Sequence, residues 1–302
     1  MKALIIRPAA LGDTLMLVPA LVQMSASIEV VLVCRSPSLE ILRPYVGQSV
    51  DYEGPEWHRL FLDKYDGHLF LTIPRVDRVV AFLNDPDGTV EKNLKLCLPN
   101  ASIHLFPAFP PERTEIHVAR YLAECLKSAG LPADPENALE AARNRALLKR
   151  EPALIRQQKI VFHPGSGGQA KNHPPDFWIE LIEESSKDPL LGGHDFVVLL
   201  GPAEEQLYPF FIENIHHRNT QTLFSPERED LISLLGKVSL YIGHDSGITH
   251  LSAMLGAPTI ALFKESSVSQ WSPLGPAVRI IQGDEIYPDY MGRILKEAHD
   301  LL

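Results

Sequence analysis

Three short stretches of this chain bring together residue types suited to anion binding and proton transfer. The densest is Tyr241–Pro258, where Asp245-Ser246-Gly247 precedes Ile248-Thr249-His250. An apolar run of Val238, Leu240, Tyr241 and Ile242 leads into it and stops at Gly243. Asp245 and Ser246 are both good helix N-caps. Leu251, Met254 and Leu255 then recur at helical spacing, and Gly256-Ala257-Pro258 ends the helix. A strand entering a helix through such a turn leaves backbone N–H groups and a positive dipole end open to phosphate. His250 lies about one helical turn further on, within reach of the same anion.

The second stretch is His163-Pro164-Gly165-Ser166-Gly167-Gly168-Gln169-Ala170-Lys171. Its glycines let backbone amides approach an anion, and Lys171 adds a full charge. A surface turn with an incidental lysine reads the same way locally. The stretch is neither a P-loop, which needs GKS or GKT, nor the GxGxxG dinucleotide pattern. The third stretch is Arg7–Thr14, containing Gly12-Asp13 after an apolar run. Asp13 reads either as a general base for a substrate hydroxyl or as the cap of the following helix.

Other signals are set aside. His244-Asp245-Ser246-Gly247 sits between a strand and a helix, the wrong setting for a trypsin-like nucleophile. No G-x-S-x-G marks an α/β-hydrolase. Asp85-Pro86-Asp87-Gly88 is a D-x-D pair that Pro and Gly make into a turn.

All three stretches follow apolar strands, and loops at strand C-termini are where open α/β sheets bind ligands. Short apolar strands are expected at 3–6, 29–33, 68–73, 160–162, 195–200, 220–223, 259–262 and 278–281. Helices are expected at 14–26, bent at Pro19, then 36–43, 114–128 capped by Thr114, 176–184, 203–215, 229–236 and 289–302. This alternation is the signature of a parallel, doubly wound α/β sheet. Residues 132–158 lack strand signals, hold Pro132, Pro135 and Pro152, and are expected to connect two domains.

At 302 residues the chain fits two domains. Its 45% hydrophobic content is enough for a full core in each. Residues 1–150 hold 17 basic and 18 acidic side chains, and residues 151–302 hold 11 and 20. The charge of −10 therefore falls almost wholly on the second half, which argues against nucleic acid as a partner. Cys34, Cys97 and Cys125 are odd in number and lack metal-ligand spacing, the pattern of reduced cytosolic thiols. The N-terminal apolar run is too short for a signal peptide. No run reaches the roughly 18 apolar residues of a membrane span.

Taken together, the motifs make the chain resemble glycosyltransferase family 9, the ADP-heptose:lipopolysaccharide heptosyltransferases. The resemblance rests on I-I-R-x-x-x-L-G-D-T-L at 5–15, H-P-G-S-G-G at 163–168 with Lys171, and D-S-G-I-T-H-L-S-A at 245–253. G-A-P-T-I-A-L-F at 256–263 and W-S-P-L-G at 271–275 extend it. It implies a GT-B architecture: Rossmann-like domains at 1–150 for the acceptor and 151–285 for the nucleotide-sugar, facing across a cleft. A C-terminal helix, 286–302, packs back on the first.

The implied reaction is inverting, metal-independent transfer of a heptose from an ADP-linked donor to a lipopolysaccharide-core or other surface-glycan hydroxyl. Asp13 takes the position of the base. Ser166, Gly167, Gly168, Lys171, Glu204, Asp245, Ser246, Gly247 and His250 take the donor-site positions. No cofactor is implied. A lipid-linked acceptor would hold the cytoplasmic protein peripherally at the inner face of the inner membrane. A nucleotide-sugar epimerase or hydrolase, or a non-catalytic binding protein of this fold, are the alternatives. The chain departs from the family pattern at His173, commonly Trp, and at Lys264-Glu265, commonly Gly-Pro.

Overall fold

The structure, a computed structural model, describes residues 1–64, 75–111, 114–148, 156–284 and 289–302. The strand expected at 68–73 and Pro152 of the expected connection lie outside these residues. The chain divides into two compact units, Met1–Glu140 and Ala141–Leu302.

The first unit contains β1 (Lys2–Ile6), α1 (Leu11–Leu15), α2 (Val18–Met24), β2 (Glu29–Cys34), α3 (Ser38–Leu42), β3 (Gln48–Asp51), β4 (Arg78–Phe82), α4 (Thr89–Cys97), β5 (Ser102–Phe106), α5 (Val118–Ser128) and the start of α6 (Pro135–Asn144). Its parallel sheet runs β3-β2-β1-β4-β5. Ala3–Ile6 and Val31–Cys34 are wholly buried, as central parallel strands covered on both faces must be.

The single helix expected over 14–26 is two. Pro19 has no N–H to donate to Leu15, so the helix stops and restarts, with Pro19 in the first turn of α2. Asp13 lies inside α1, and Ala10 occupies the N-cap without a side-chain bond, so Asp13 is not the cap. α5 begins four residues later than expected. His117 caps it, Nδ1 accepting from the Ala119 N–H at 3.2 Å. Thr114 instead donates to the Pro111 carbonyl at 2.8 Å. Asp85 and Asp87 form the turn that opens α4. Asp85 accepts from the Val90 and Glu91 N–H groups, each at 2.9 Å, and Asp87 from Thr89 at 3.3 Å.

The second unit contains β6 (Gln157–His163), α7 (Pro175–Lys187), β7 (Asp195–Leu200), α8 (Tyr208–Asn214), β8 (Thr220–Phe224), α9 (Arg228–Leu235), β9 (Val238–His244), α10 (Gly247–Met254), β10 (Thr259–Phe263), α11 (Val268–Trp271), β11 (Val278–Gln282) and α12 (Tyr290–Leu301). Its six parallel strands run β11-β10-β9-β6-β7-β8. Phe162, Trp178, Phe196, Phe211, Leu240 and Ile260 fill its core. The stripe of Tyr290, Ile294 and Ala298 on α12 is part of this second core.

The loop after α11 presses on α10 so closely that a Cβ on Gly275 would lie 2.3 Å from the Ala253 carbonyl oxygen. Backbone cannot yield there as a flexible side chain would. Gly275→Ala is therefore expected to destabilise the protein by about 1–3 kcal/mol, read as a lower urea midpoint with an unchanged m-value.

Candidate functional site

The strand order of the second sheet reverses between β6 and β9, which pair in register from Ile160↔Leu240 to His163↔Gly243. Connections leave these two strands toward opposite sides of the sheet. The crevice between their C-terminal ends is the usual ligand seat of an open α/β fold. The turn His163–Gly168 with Lys171 follows β6. Asp245–Gly247 follows β9.

Ser246 is the N-cap of α10, its hydroxyl accepting from the Thr249 N–H at 3.3 Å. Asp245 sits just before it, held by a bond from its own N–H to the Leu262 carbonyl. The Asp245 side chain is 5% exposed. Lys171 Nζ donates to Oδ2 at 2.8 Å, and His250 Nε2 lies 3.6 Å from Oδ1. Burial pushes the carboxyl upward, but His250 and Lys171 outweigh it and hold it far below the ordinary range. Lys171 is 41% exposed. A buried carboxylate thus anchors a cation that faces solvent at the mouth of a helix N-terminus.

The β6 turn is closed on itself. Ser166 Oγ donates to Asn172 Oδ1 at 2.6 Å and accepts from the Gly168 N–H at 3.3 Å. Gly167 is exposed, and nothing lies where a Cβ would stand. Glu204 is packed under this turn: a Cβ on Gly165 would fall 2.1 Å from its Cδ. Its carboxylate accepts from the Gly201 N–H at 2.9 Å, and burial raises its pKa.

Beneath the turns lies a buried polar relay. Tyr241 Oη is 3.0 Å from both His163 Nδ1 and Thr249 Oγ1. Thr249 donates its one proton to the His244 carbonyl. Tyr241 must then donate to Thr249, and His163 Nδ1–H to Tyr241. Burial drops His163 to about 4 and His244 well below its ordinary value, so both are neutral at pH 7.

The nine residues expected at the donor site, Ser166, Gly167, Gly168, Lys171, Glu204, Asp245, Ser246, Gly247 and His250, all belong to this one region of the second unit. Asp13 belongs to the first unit, where the strand order reverses between β1 and β4, in the first turn of the helix after β1. Sequence reasoning gave no role to His163, Tyr241, Thr249 and Asn172. The signal for two of them was a polar group inside one apolar strand, Tyr241, and at the end of another, His163.

The two departures from the family pattern meet at one carboxylate. His173 Nδ1 is 4.0 Å from Asp284 Oδ1, and Lys264 Nζ is 3.1 Å from Oδ2. His173 is buried among Phe177, His244 and Tyr290, with Nε2 3.0 Å from the Tyr290 hydroxyl.

Two doubly wound parallel-sheet units are the GT-B fold. The chain belongs to glycosyltransferase family 9 (heptosyltransferase), whose profile matches residues 99–292. That span includes the second-unit turns and excludes the Asp13 stretch. Among solved structures, E. coli heptosyltransferase WaaC with ADP is 17% identical, with full coverage of both chains and a TM-score of 0.70. The glycosyltransferase family 9 protein of Veillonella parvula is 16% identical over 98% of this chain and 90% of its own, also at 0.70. E. coli ADP-heptose lps heptosyltransferase II is 18% identical over 100% and 98%, at 0.67. No curated protein matches by sequence.

His163 and His244 are depressed below the imidazole value they have in the unfolded chain. Unfolded chains therefore bind protons that the folded protein refuses, and stability falls with falling pH. The melting temperature is expected to be constant above about pH 6.5 and to fall between there and about pH 4. His163→Gln should flatten that slope in a pH series of thermal melts.

Proposed function

We propose that this protein transfers a heptose, with inversion and without a bound metal, from an ADP-linked donor to a hydroxyl of a lipopolysaccharide-core or other surface-glycan acceptor. The observation that carries the reading is Lys171 standing 2.8 Å from buried Asp245 at the N-terminus of α10. Departure of the sugar leaves charge on a nucleoside diphosphate, and preorganised donors aimed at that charge lower the barrier. Lys171, the first amides of α10 and the Gly167 amide supply them. Lys171 is 41% exposed, so Asp245 holds it and His250 in place while its ammonium keeps donors free for a diphosphate.

Asp13 acts as general base, taking the acceptor hydroxyl proton as that oxygen attacks the anomeric carbon. The fold likeness to WaaC, solved with ADP and with ADP-2-deoxy-2-fluoro heptose, supports an adenosine diphosphate-linked donor. Among the described residues no helix is long and apolar enough to cross a membrane. A lipid-linked acceptor would bring the protein to the inner face of the inner membrane as a peripheral partner.

The test is calorimetric titration with ADP, UDP, GDP and CMP in EDTA, followed by transfer from ADP-heptose to a heptose-deficient core. ADP should bind saturably, and Lys171→Ala should weaken it at least about tenfold, the loss of one charge-assisted bond. Asp13→Asn should cut transfer about 10²–10⁴-fold with ADP affinity unchanged. Full turnover by Asp13→Asn would remove Asp13 as base. Release of free heptose without acceptor would instead point to a hydrolase.

A further inference from the structure

The C-terminal edge of the second sheet holds a cavity of about 580 Å³ that the donor-site residues do not line. Its described lining is Lys264, Glu265, Gln282, Gly283, Asp284 and Arg293. Lys264 and Glu265 directly follow β10, Gln282 ends β11, and Arg293 lies one turn into α12. The volume is that of a small-molecule site, about 300–1,000 Å³. The lining is unusual for one. Such sites are mostly apolar, and the described lining here contains no aliphatic or aromatic residue.

The charges of this wall cancel. Lys264 Nζ stands 3.1 Å from Asp284 Oδ2, both side chains partly buried, and exposed Glu265 and Arg293 add one charge of each sign. A balanced wall has no net pull on an anion, and without a ring it has no stacking face for a base. It is dense in N–H donors and carboxylate acceptors. That suits a neutral ligand rich in hydroxyls, each of which both donates and accepts.

The sheet order β11-β10-β9-β6 fixes what stands next to the cavity. β9 leads into the mouth of α10, and Lys171 comes from its β6 side. The cavity is on its β10 side: the Asp245 N–H donates to the Leu262 carbonyl at 3.2 Å, and Lys264 follows two residues later. With strands about 4.8 Å apart, the gap between β10 and β11 lies roughly 7 Å from β9. A group carried directly on a diphosphate at the α10 N-terminus reaches that far.

We propose that this cavity receives the hydroxyl-rich sugar of the donor, and that Lys264, Asp284 and Arg293 determine which sugar is accepted. The proposal rests on the reading of the α10 mouth as the diphosphate seat. Asp284 accepts from sugar hydroxyls, and Lys264 and Arg293 donate to them. Lys264 and Asp284 hold each other in place, so neither has to be ordered by the ligand. Lys264-Glu265 stands where the family pattern commonly has Gly-Pro, so this chain reads its sugar with side chains that pattern lacks. A deoxy sugar would set a methyl group against charged walls and leave their hydrogen bonds unmade, and is refused.

The test is calorimetric titration of the full chain with ADP, ADP-heptose and ADP-rhamnose, whose sugar ends in a methyl group. Wild type should bind ADP-heptose at least about tenfold more tightly than ADP-rhamnose. Lys264→Met and Asp284→Asn should each lower the affinity for ADP-heptose relative to ADP at least about tenfold, the loss of a hydrogen bond to a charged group. Taking the ratio to ADP cancels any effect on the diphosphate seat. Equal wild-type affinity for the two sugar nucleotides overturns the proposal, as does an unchanged ratio in both folded variants. If neither variant folds, Arg293→Met, exposed on α12, decides by the same ratio. Failure of the diphosphate reading shows separately, as absent ADP binding by folded wild type. The cavity is then tested alone by amide NMR with free heptose: shifts at Lys264, Gln282 and Gly283 keep it as a sugar site, and their absence overturns it.

Discussion

A carboxylate only 5% exposed must be met by donors or lose its charge, and Asp245 is met from two directions. Lys171 comes from the segment after β6 and His250 from the first turns of α10. The positive end of α10 adds to the stabilisation. Because Lys171 stays part-exposed, the anchor leaves its cation available to a ligand, where a wholly buried pair would have consumed it.

The floor under that anchor is also polar, unusually for the end of a parallel sheet. His163, Tyr241 and Thr249 form a relay whose proton directions are forced by the Thr249 bond to the His244 carbonyl. Such a network is stable only when every member is satisfied. It fixes the two strand ends against each other, and so sets the spacing between the Gly165–Gly168 turn and the mouth of α10. Rigid support of this kind makes backbone amides useful to a charged leaving group, since they need not reorganise as charge develops.

His173 and Lys264, far apart in sequence, replace residues the family pattern has elsewhere, yet both stand by Asp284. An imidazole and an ammonium thus stand on either side of one carboxylate. The set reaches the relay through His173, whose N–H donates to His244 Nε2 at 2.8 Å.

How much of this was legible in the sequence depended on whether the cause was local. Apolar runs such as Ile160–Phe162 and Asp195–Leu200 mark strands because a parallel strand is buried on both faces. Gly165-Ser166-Gly167-Gly168 and Asp245-Ser246-Gly247 mark ligand-type turns because glycine freedom and N-cap chemistry act within a few residues. Those signals, with their order, gave the α/β class, the family and residues that meet at the C-terminal ends of β6 and β9. Helix limits were legible less well. Pro19 divides a helix the pattern read as one, and His117, not Thr114, opens α5. Both outcomes turn on which of several competent residues the surrounding packing selects.

Tertiary structure alone decided what Asp13, Glu204 and the departures do. Asp13 is inside a helix rather than at its cap, with buried Arg7 as its neighbour. Glu204 is tucked under Gly165, and His173 and Lys264 share Asp284. Apart from Arg7, which lies six residues from Asp13, these partnerships cross tens of residues of sequence. The physical reason is that charge and hydrogen-bond satisfaction depend on distance in space and on exclusion of water, and neither is defined until the sheet has brought its strand ends together.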